Sequence, residues 1–450
     1  MPLLPVFNLP DLAARISDVV LRREDAKLKE LVASAGDDDL VNLLDSMDAE
    51  EKARAFRALS ANRQARIIYD LSEYSQEEIL RALSKDELEA MIAGAESDDA
   101  VDVIQLLDDA ARTRVVADLR KRDPHGLLPL LGYGEETAGG LMKTEMTRFQ
   151  SVVTVEDARR MIAKEGAAKR SSQQLYVVDA QDALVGTVSP IRLLQASGEV
   201  RLGDIVTPPP ASIPPGTDQE MVAQIFDQHD AVELPVVESR GRLIGIITAD
   251  DIFDVMEEEY SEDISRLVGV DEDDHITDPV FRTVRRRLPW LVVNLGTAIL
   301  AATVVSAFQD TIARLVILAA FMPIIAGMGG NAATQTLGVV IRAIALGDMN
   351  KLNVRRTIAK QVMAGALNGL VNGLLMGGIA YLWTKNATLS VVIVVAMTLN
   401  MLVAGLGGVV VPVTLRAMRI DPALASAVFV TTMTDICGFF VFLGLAKTFL

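Results

Sequence analysis

The sequence has 450 residues, 50% of them hydrophobic and 23% charged, and a formal net charge of −17. The charge is split: from Phe281 onward 14 Lys and Arg face 4 Asp and Glu, which leaves 29 basic and 56 acidic residues before it. So acidic a first part excludes nucleic acid as a charge-held partner, because phosphates repel it, and it favours cations instead.

A single cysteine, Cys437, excludes an intrachain disulfide. The start, Met1-Pro2-Leu3-Leu4, lacks the basic segment of a signal peptide, so the N-terminal half is expected in the cytosol. Residues 1–135 read as an all-α domain of helical hairpins with a docking surface as its default role. Acidic or seryl starts before apolar runs, at Asp37-Asp38-Asp39-Leu40, Ser75-Gln76-Glu77-Glu78 and Ser97-Asp98-Asp99-Ala100, predict helix N-caps.

From about residue 136 to 260 the pattern turns to α+β. Gln174–Asp179 and Leu184–Ser189 read as two strands followed by a helix, and the order returns at Glu233–Glu238 and Leu243–Thr248. A repeat of this size predicts a paired unit. It resembles a tandem pair of cystathionine-β-synthase (CBS) domains, the first over 136–200 and the second over 201–260. The resemblance implies an adenine nucleotide such as ATP in the cleft, with an Asp three residues after a Ser or Thr on the ribose. Thr248 and Asp251 fit this in the second copy, whereas Ser189 is followed by Arg192 in the first.

A dense acidic run follows: Asp250, Asp251, Asp254, Glu257, Glu258, Glu259, Glu262 and Asp263. Asp250, Asp254, Glu257 and Glu258 share one side of a helix, where like charges repel unless a cation neutralises them. The run continues through Asp271-Glu272-Asp273-Asp274 to Arg285-Arg286-Arg287, which marks 261–287 as a connecting, gating segment.

Residues 288–450 hold five stretches long and apolar enough to cross a bilayer, predicted at about 288–308, 315–344, 362–383, 389–415 and 424–445. Loops on the side of the acidic half carry Arg285, Arg286, Arg287, Arg342, Lys351, Arg355, Arg356, Lys360, Arg416 and Arg419; the other side carries Arg314, Lys385 and Lys447. The positive-inside rule then puts the N-terminus in the cytosol and the C-terminus outside. The third stretch has Gly365, Gly369, Gly373 and Gly377 at four-residue spacing, with Asn368 and Asn372 beside them, a pattern for close helix packing.

Asp310, Asp348 and Asp421 fall at segment ends, and Asp435 lies mid-span. A carboxylate there costs at least about 2.5–3.5 kcal/mol and needs a partner, a cavity or a pore. No basic residue lies at its depth, and Thr431 shares its helical face, so the pair offers hard oxygen ligands suited to Mg²⁺ or its water shell. Gly329-Gly330-Asn331, with Thr334 and Gln335, reads as a close approach or a local break in the second span, or alternatively as a polar helix contact.

The whole order, an acidic helical domain, a CBS pair, an acidic connecting helix and five spans, resembles the MgtE family of magnesium channels. Thr137-Ala138-Gly139-Gly140-Leu141-Met142, Gly329 through Gln335 with Arg342-Ala343, and Asp421-Pro422-Ala423 with Thr434 through Gly438 carry the likeness. The resemblance implies a homodimer in the cell membrane, two Asp435 side chains as selectivity element, and cytosolic Mg²⁺ bridging the domains when the pore is closed. It implies acidic sensors at Asp98, Asp102, Asp218, Asp230, Asp251, Asp254, Glu259, Glu262 and Asp263. Arg66 and Ala427 depart from it, standing where relatives often carry an acid and an Asn. The competing readings are a secondary divalent-cation transporter and a membrane-anchored nucleotide sensor. An enzyme is not expected: His125, His229 and His275 form no ligand-like pair, and no phosphate loop or nucleophile motif occurs.

Overall fold

The computed structural model describes residues 15–450 apart from 17, 20, 21, 23, 121–125, 166–172, 272, 273, 275, 277, 346–348, 350, 419 and 421. Met1–Leu4, His125, Glu272, Asp273, His275, Asp348, Arg419 and Asp421, singled out above, therefore lie outside the described residues. The chain divides into two compact units, one ending at Glu259 and taking in 275–278, the other built from 260–274 and 279–450.

The first unit opens with short helices, Asp25–Ser34, Asp37–Ser46, Ala49–Arg57, Ala61–Asp70, Glu73–Ala82, Lys85–Gly94, Ser97–Gln105 and Asp109–Leu119. Strips such as Leu40, Leu43 and Leu44 or Ala65, Ile67 and Ile68 merge into one core with Phe56, Met91 and Ile104. The helix starts differ from the expected caps. Ser72, Ser84 and Asp108 accept the first-turn N–H groups, and Ser84 and Glu87 do so reciprocally. Asp37–Asp39 and Asp98–Asp99 lie inside the first turn, where the helix dipole favours acid. Ser75 is interior and accepts from the buried Lys52 ammonium at 2.8 Å.

The α+β part contains β1 (Arg148–Gln150), β2 (Leu175–Val178), β3 (Leu184–Val188), β4 (Glu233–Val237) and β5 (Leu243–Thr248). β1 pairs parallel with β2, which pairs antiparallel with β3; β4 pairs antiparallel with β5. In the second copy Ile213 bridges Val236 in parallel, in the place of β1. Both hairpins also slip register at equivalent points, Val177/Val178 and Val236/Val237. Each copy then ends in a helix, Pro190–Gln195 after β3 and Ala249–Val268 after β5.

Among the described residues of the second unit, five helices are long and apolar enough to span a membrane: Val280–Ala307, Leu318–Ala345, Lys351–Thr384, Ala387–Ala417 and Pro422–Phe449. Large apolar side chains including Leu291, Leu295, Leu367, Leu374 and Trp383 stay on their outer surface, as hydrocarbon contact requires. Third and fourth spans join through Lys385, at φ 53°, and Asn386, whose side chain caps the fourth. The glycine row explains their close packing. A Cβ on Gly365 would sit 2.4 Å from the Met401 carbonyl oxygen, and one on Gly373 2.9 Å from that of Val394.

The second span does not break at Gly329-Gly330-Asn331; the helix runs through. The glycines admit a neighbour instead. A Cβ on Gly329 would lie 2.2 Å from the Asn400 amide nitrogen, and one on Gly438 would lie 2.7 Å from it. Asn400, 1% exposed in the fourth span, donates to the Ile325 carbonyl at 3.0 Å. Of the two openings offered by the motif, close approach therefore wins over a local break.

Candidate functional site

Asp435 stands midway along the fifth span, Pro422–Phe449. It borders a cavity of about 340 Å³ lined also by Trp290, Asn294, Thr297, Ala427, Thr431 and Thr432. Among the described residues no side chain of opposite charge and no hydrogen-bond donor engages it. The threonines spend their protons on the helix itself: Thr431 donates to the Ala427 carbonyl at 2.8 Å, and Thr432 to Val428 at 2.6 Å. Their oxygens are thereby left as acceptors toward the cavity. The wall beside Asp435 is thus rich in acceptors and free of basic groups, which suits a cation whose coordinated waters donate outward.

Asn331, Thr334 and Gln335 are exposed on the second span and do not line this cavity. Thr334 donates to the Gly330 carbonyl at 3.1 Å. The second span meets the fifth at Gly330, 3.9 Å from the Thr431 methyl when given a Cβ. Three residues absent from the sequence-based site, Trp290, Asn294 and Thr297, complete the cavity from the first span. Their i, i+4, i+7 spacing was the available signal, since it places them on one helical face.

In the first unit the acidic residues separate into distinct places. Asp218 caps the helix Gln219–His229 at its start, and Asp230 follows its end at φ 47°. Eleven residues at about 1.5 Å rise keep them roughly 17 Å apart, too far for one ion within one chain. Glu259 accepts from the Gln219 amide at 2.8 Å. Arg66 pairs with Asp37 at 3.1 Å. In the second unit Glu262 pairs with Arg266, one turn along the same helix.

The remaining acids gather where the helix Ser97–Gln105 meets the start of Ala249–Val268. Burial first, then the charges of Asp99, Glu135, Glu258 and Asp251, push the Asp102 carboxyl up to about 8. Burial, then Asp70, Asp254 and Glu259, push Glu258 to about 7; Asp70 and Asp99, raised chiefly by burial, stand at about 6 and 7. The cluster is repulsive as it stands. Among the described residues, no three acidic, His or Cys side chains are already arranged to hold a metal.

Among the described residues, Thr248 and Asp251 are not part of the lining of the cleft of about 350 Å³ in the CBS pair. The Thr248 N–H and hydroxyl both donate to Asp251, so this Thr-x-x-Asp pattern acts as a helix cap, and the Lys143 ammonium takes the other carboxylate oxygen at 2.9 Å. The open cleft, about 350 Å³, lies at the first copy's motif instead. It is lined by Thr187, Ser189, Thr207, Pro208, His229 and Glu233, among others.

Comparison with known proteins follows the same order of domains. Family profiles match for the MgtE intracellular N domain over residues 35–136, a CBS domain over 202–258, and a divalent cation transporter over 322–445. A magnesium transporter MgtE from Enterococcus faecalis is 34% identical over 321 residues, 71% of each chain. Its Thermus thermophilus counterpart is 33% identical over 355 residues, 78% of each. The chain belongs to the MgtE family of magnesium transporters. It is a multi-pass membrane protein with a CBS pair, as the sequence led us to expect. The CBS match covers the second copy, and the structure supplies the first, whose β2–β3 hairpin repeats β4–β5. A crystal structure of the cytosolic domain of an MgtE Mg²⁺ channel in complex with ATP aligns at TM-score 0.49 with 29% identity, covering 54% of this chain and 99% of that one.

Proposed function

We propose that this MgtE-family chain forms a Mg²⁺ channel for uptake, in which the ion passes Asp435 with its inner waters retained. The observation that carries this is a mid-span carboxylate beside a cavity of about 340 Å³, with threonine acceptors and no basic partner. Six waters at about 30 Å³ each occupy about 180 Å³, so a hydrated ion fits the space. In the proposed homodimer a second Asp435 adds the charge that selects a divalent ion, and the exposed Asn331, Thr334 and Gln335 face the partner. Following the basic loops, the N-terminus is cytosolic, the C-terminus is outside, and lipid surrounds the spans.

Under the same proposal the pore is gated closed by cytosolic Mg²⁺. Asp70 and Asp102 on the helical domain repel Asp254 and Glu258 on the acidic helix, where Glu257 lies beside Asp254 and Asp250 at the exposed start. Mg²⁺ held between carboxylates of the two faces bridges them and favours the closed arrangement, which shifts a two-state equilibrium by differential affinity. Asp218, Asp230 and Glu259 in the first unit, and Glu262 and Asp263 in the second, are proposed as further sensing residues. Replacing Asp250, Asp254, Glu257 and Glu258 by Ala should leave single-channel currents open at cytosolic Mg²⁺ that closes the wild type. Closure at unchanged Mg²⁺ would sink the gating model, and the absence of channel-sized currents in either protein would favour a secondary transporter.

An adenine nucleotide is placed in the cleft beside Ser189 rather than at Thr248. Calorimetric ATP binding that survives Pro208→Trp, a change that fills this cleft, would remove the assignment.

A further inference from the structure

Lys143 belongs to the segment that leads into the CBS pair and forms an isolated antiparallel bridge to Ile246 of β5. Its N–H donates to the Ile246 carbonyl at 2.8 Å, and it accepts from the Ile246 N–H at 2.9 Å. Gly245 makes this approach possible: a Cβ there would lie 3.0 Å from the Lys143 carbonyl oxygen and 2.8 Å from the Met142 sulfur. The next two residues hold the first turn of the helix Ser97–Gln105. The Thr144 N–H donates to the Ser97 hydroxyl at 2.9 Å, and Glu145 accepts from that hydroxyl at 2.7 Å. The Lys143 side chain, 8% exposed, ends among three carboxylates. Its ammonium lies 2.9 Å from Glu96, 3.5 Å from Asp98 and 2.9 Å from Asp251. Glu96 and Asp98 come from the helical domain, Asp251 from the first turn of the acidic helix.

We infer that Lys143 is a built-in cation, standing where a divalent ion would otherwise join Asp98 to Asp251, so that the helical domain docks on the CBS pair without metal at this junction. A buried, tethered ammonium has already made the neutralising contacts. Three carboxylates, of Glu96, Asp98 and Asp251, lie within 3.5 Å of the ammonium and hold it as a cation. A divalent ion brought to the same place would meet a positive charge at contact distance, which disfavours it. Asp98 is 8% exposed, and its Oδ1 has no hydrogen-bond partner among the described residues. Removal of the ammonium would add Oδ2 and the Asp251 oxygen to that unpartnered acceptor. The inference does not depend on channel gating, because it concerns docking within the first unit and is read without flux.

The test is hydrogen exchange in the full-length protein in detergent at fixed pH, comparing EDTA with millimolar Mg²⁺. In the wild type the helix Ser97–Gln105 should remain protected in EDTA. Lys143→Met should lose protection there tenfold or more in EDTA and regain it in Mg²⁺ as the freed carboxylates take the ion through retained water. Lys143→Arg, which keeps the charge, should behave as the wild type, and protection of β4 and β5 in every variant reports that the CBS pair remains folded. Wild-type protein that loses protection in EDTA as far as Lys143→Met does would overturn the inference. So would a Lys143→Met protein that stays docked without metal, or one that Mg²⁺ fails to re-dock.

Discussion

Neutralising Asp102 should make the first unit more stable, and only above acid pH. In the fold its carboxyl is held up to about 8, first by burial and then by Asp99, Glu135, Glu258 and Asp251; its ordinary value is 3.8. A raised pKa means that the fold favours the protonated form. The stability it contributes is complete below about pH 4 and is lost as pH rises through about 8. Between pH 6 and pH 8 the loss amounts to about 2 kcal/mol, at about 1.36 kcal/mol per pH unit with the last unit partly titrated. In EDTA, exchange of the helix Ser97–Gln105 should therefore accelerate by roughly thirtyfold over that interval, after correction for the intrinsic rate. Asp102→Asn is neutral at every pH and should flatten most of that dependence. It should match the wild type at about pH 4 and below and exceed its protection at pH 8. An Asp102→Asn protein that follows the wild-type pH curve would refute the assignment of Asp102 to the repulsive cluster.

Gly373→Leu should disrupt the packing of third on fourth span, because a Cβ alone would meet the Val394 carbonyl oxygen at 2.9 Å. A cost of about 1–3 kcal/mol or more is expected, measurable as a lower unfolding temperature in detergent, whereas Leu at the uncrowded Gly378 should be tolerated. Asn400→Ala removes the bond to the Ile325 carbonyl and leaves a void between Gly329 and Gly438. It should cost about 1–3 kcal/mol; unchanged thermal stability would show that this buried amide holds nothing together.

Much of the architecture was legible because its signals are local. Five apolar stretches, the glycine row and the strand repeat each follow from periodicity within one segment, and each occurs in the structure, although the first and third spans start at Val280 and Lys351 rather than at about 288 and 362. The contacts between segments were not. Gly329-Gly330 is compatible with either a break or a close approach, and the choice depends on Asn400, about seventy residues away. The Thr248-x-x-Asp251 motif fits a ribose site and a helix cap equally well; in the structure Thr248 donates to Asp251, whose other carboxylate oxygen meets Lys143, more than a hundred residues earlier. Lys143 carries no sequence signal of its own; its meaning arises when the Met142-Lys143 edge pairs with β5 beside Gly245. Asp435 stood out because a carboxylate amid apolar residues is costly wherever it faces. Its first-span neighbours Asn294 and Thr297 did not, since a single amide and a hydroxyl in a span are cheap.

The central claim is that Asp435 carries the divalent ion. The direct measurement is Mg²⁺ uptake into liposomes containing the full-length protein, with Asp435 intact and replaced by Asn or Ala, at matched protein content and with folding checked by unfolding temperature. Loss of uptake by tenfold or more in both variants is the expected result, with Asn no better than Ala because the charge is what matters. Uptake that persists in Asp435→Ala at the wild-type rate would contradict the account.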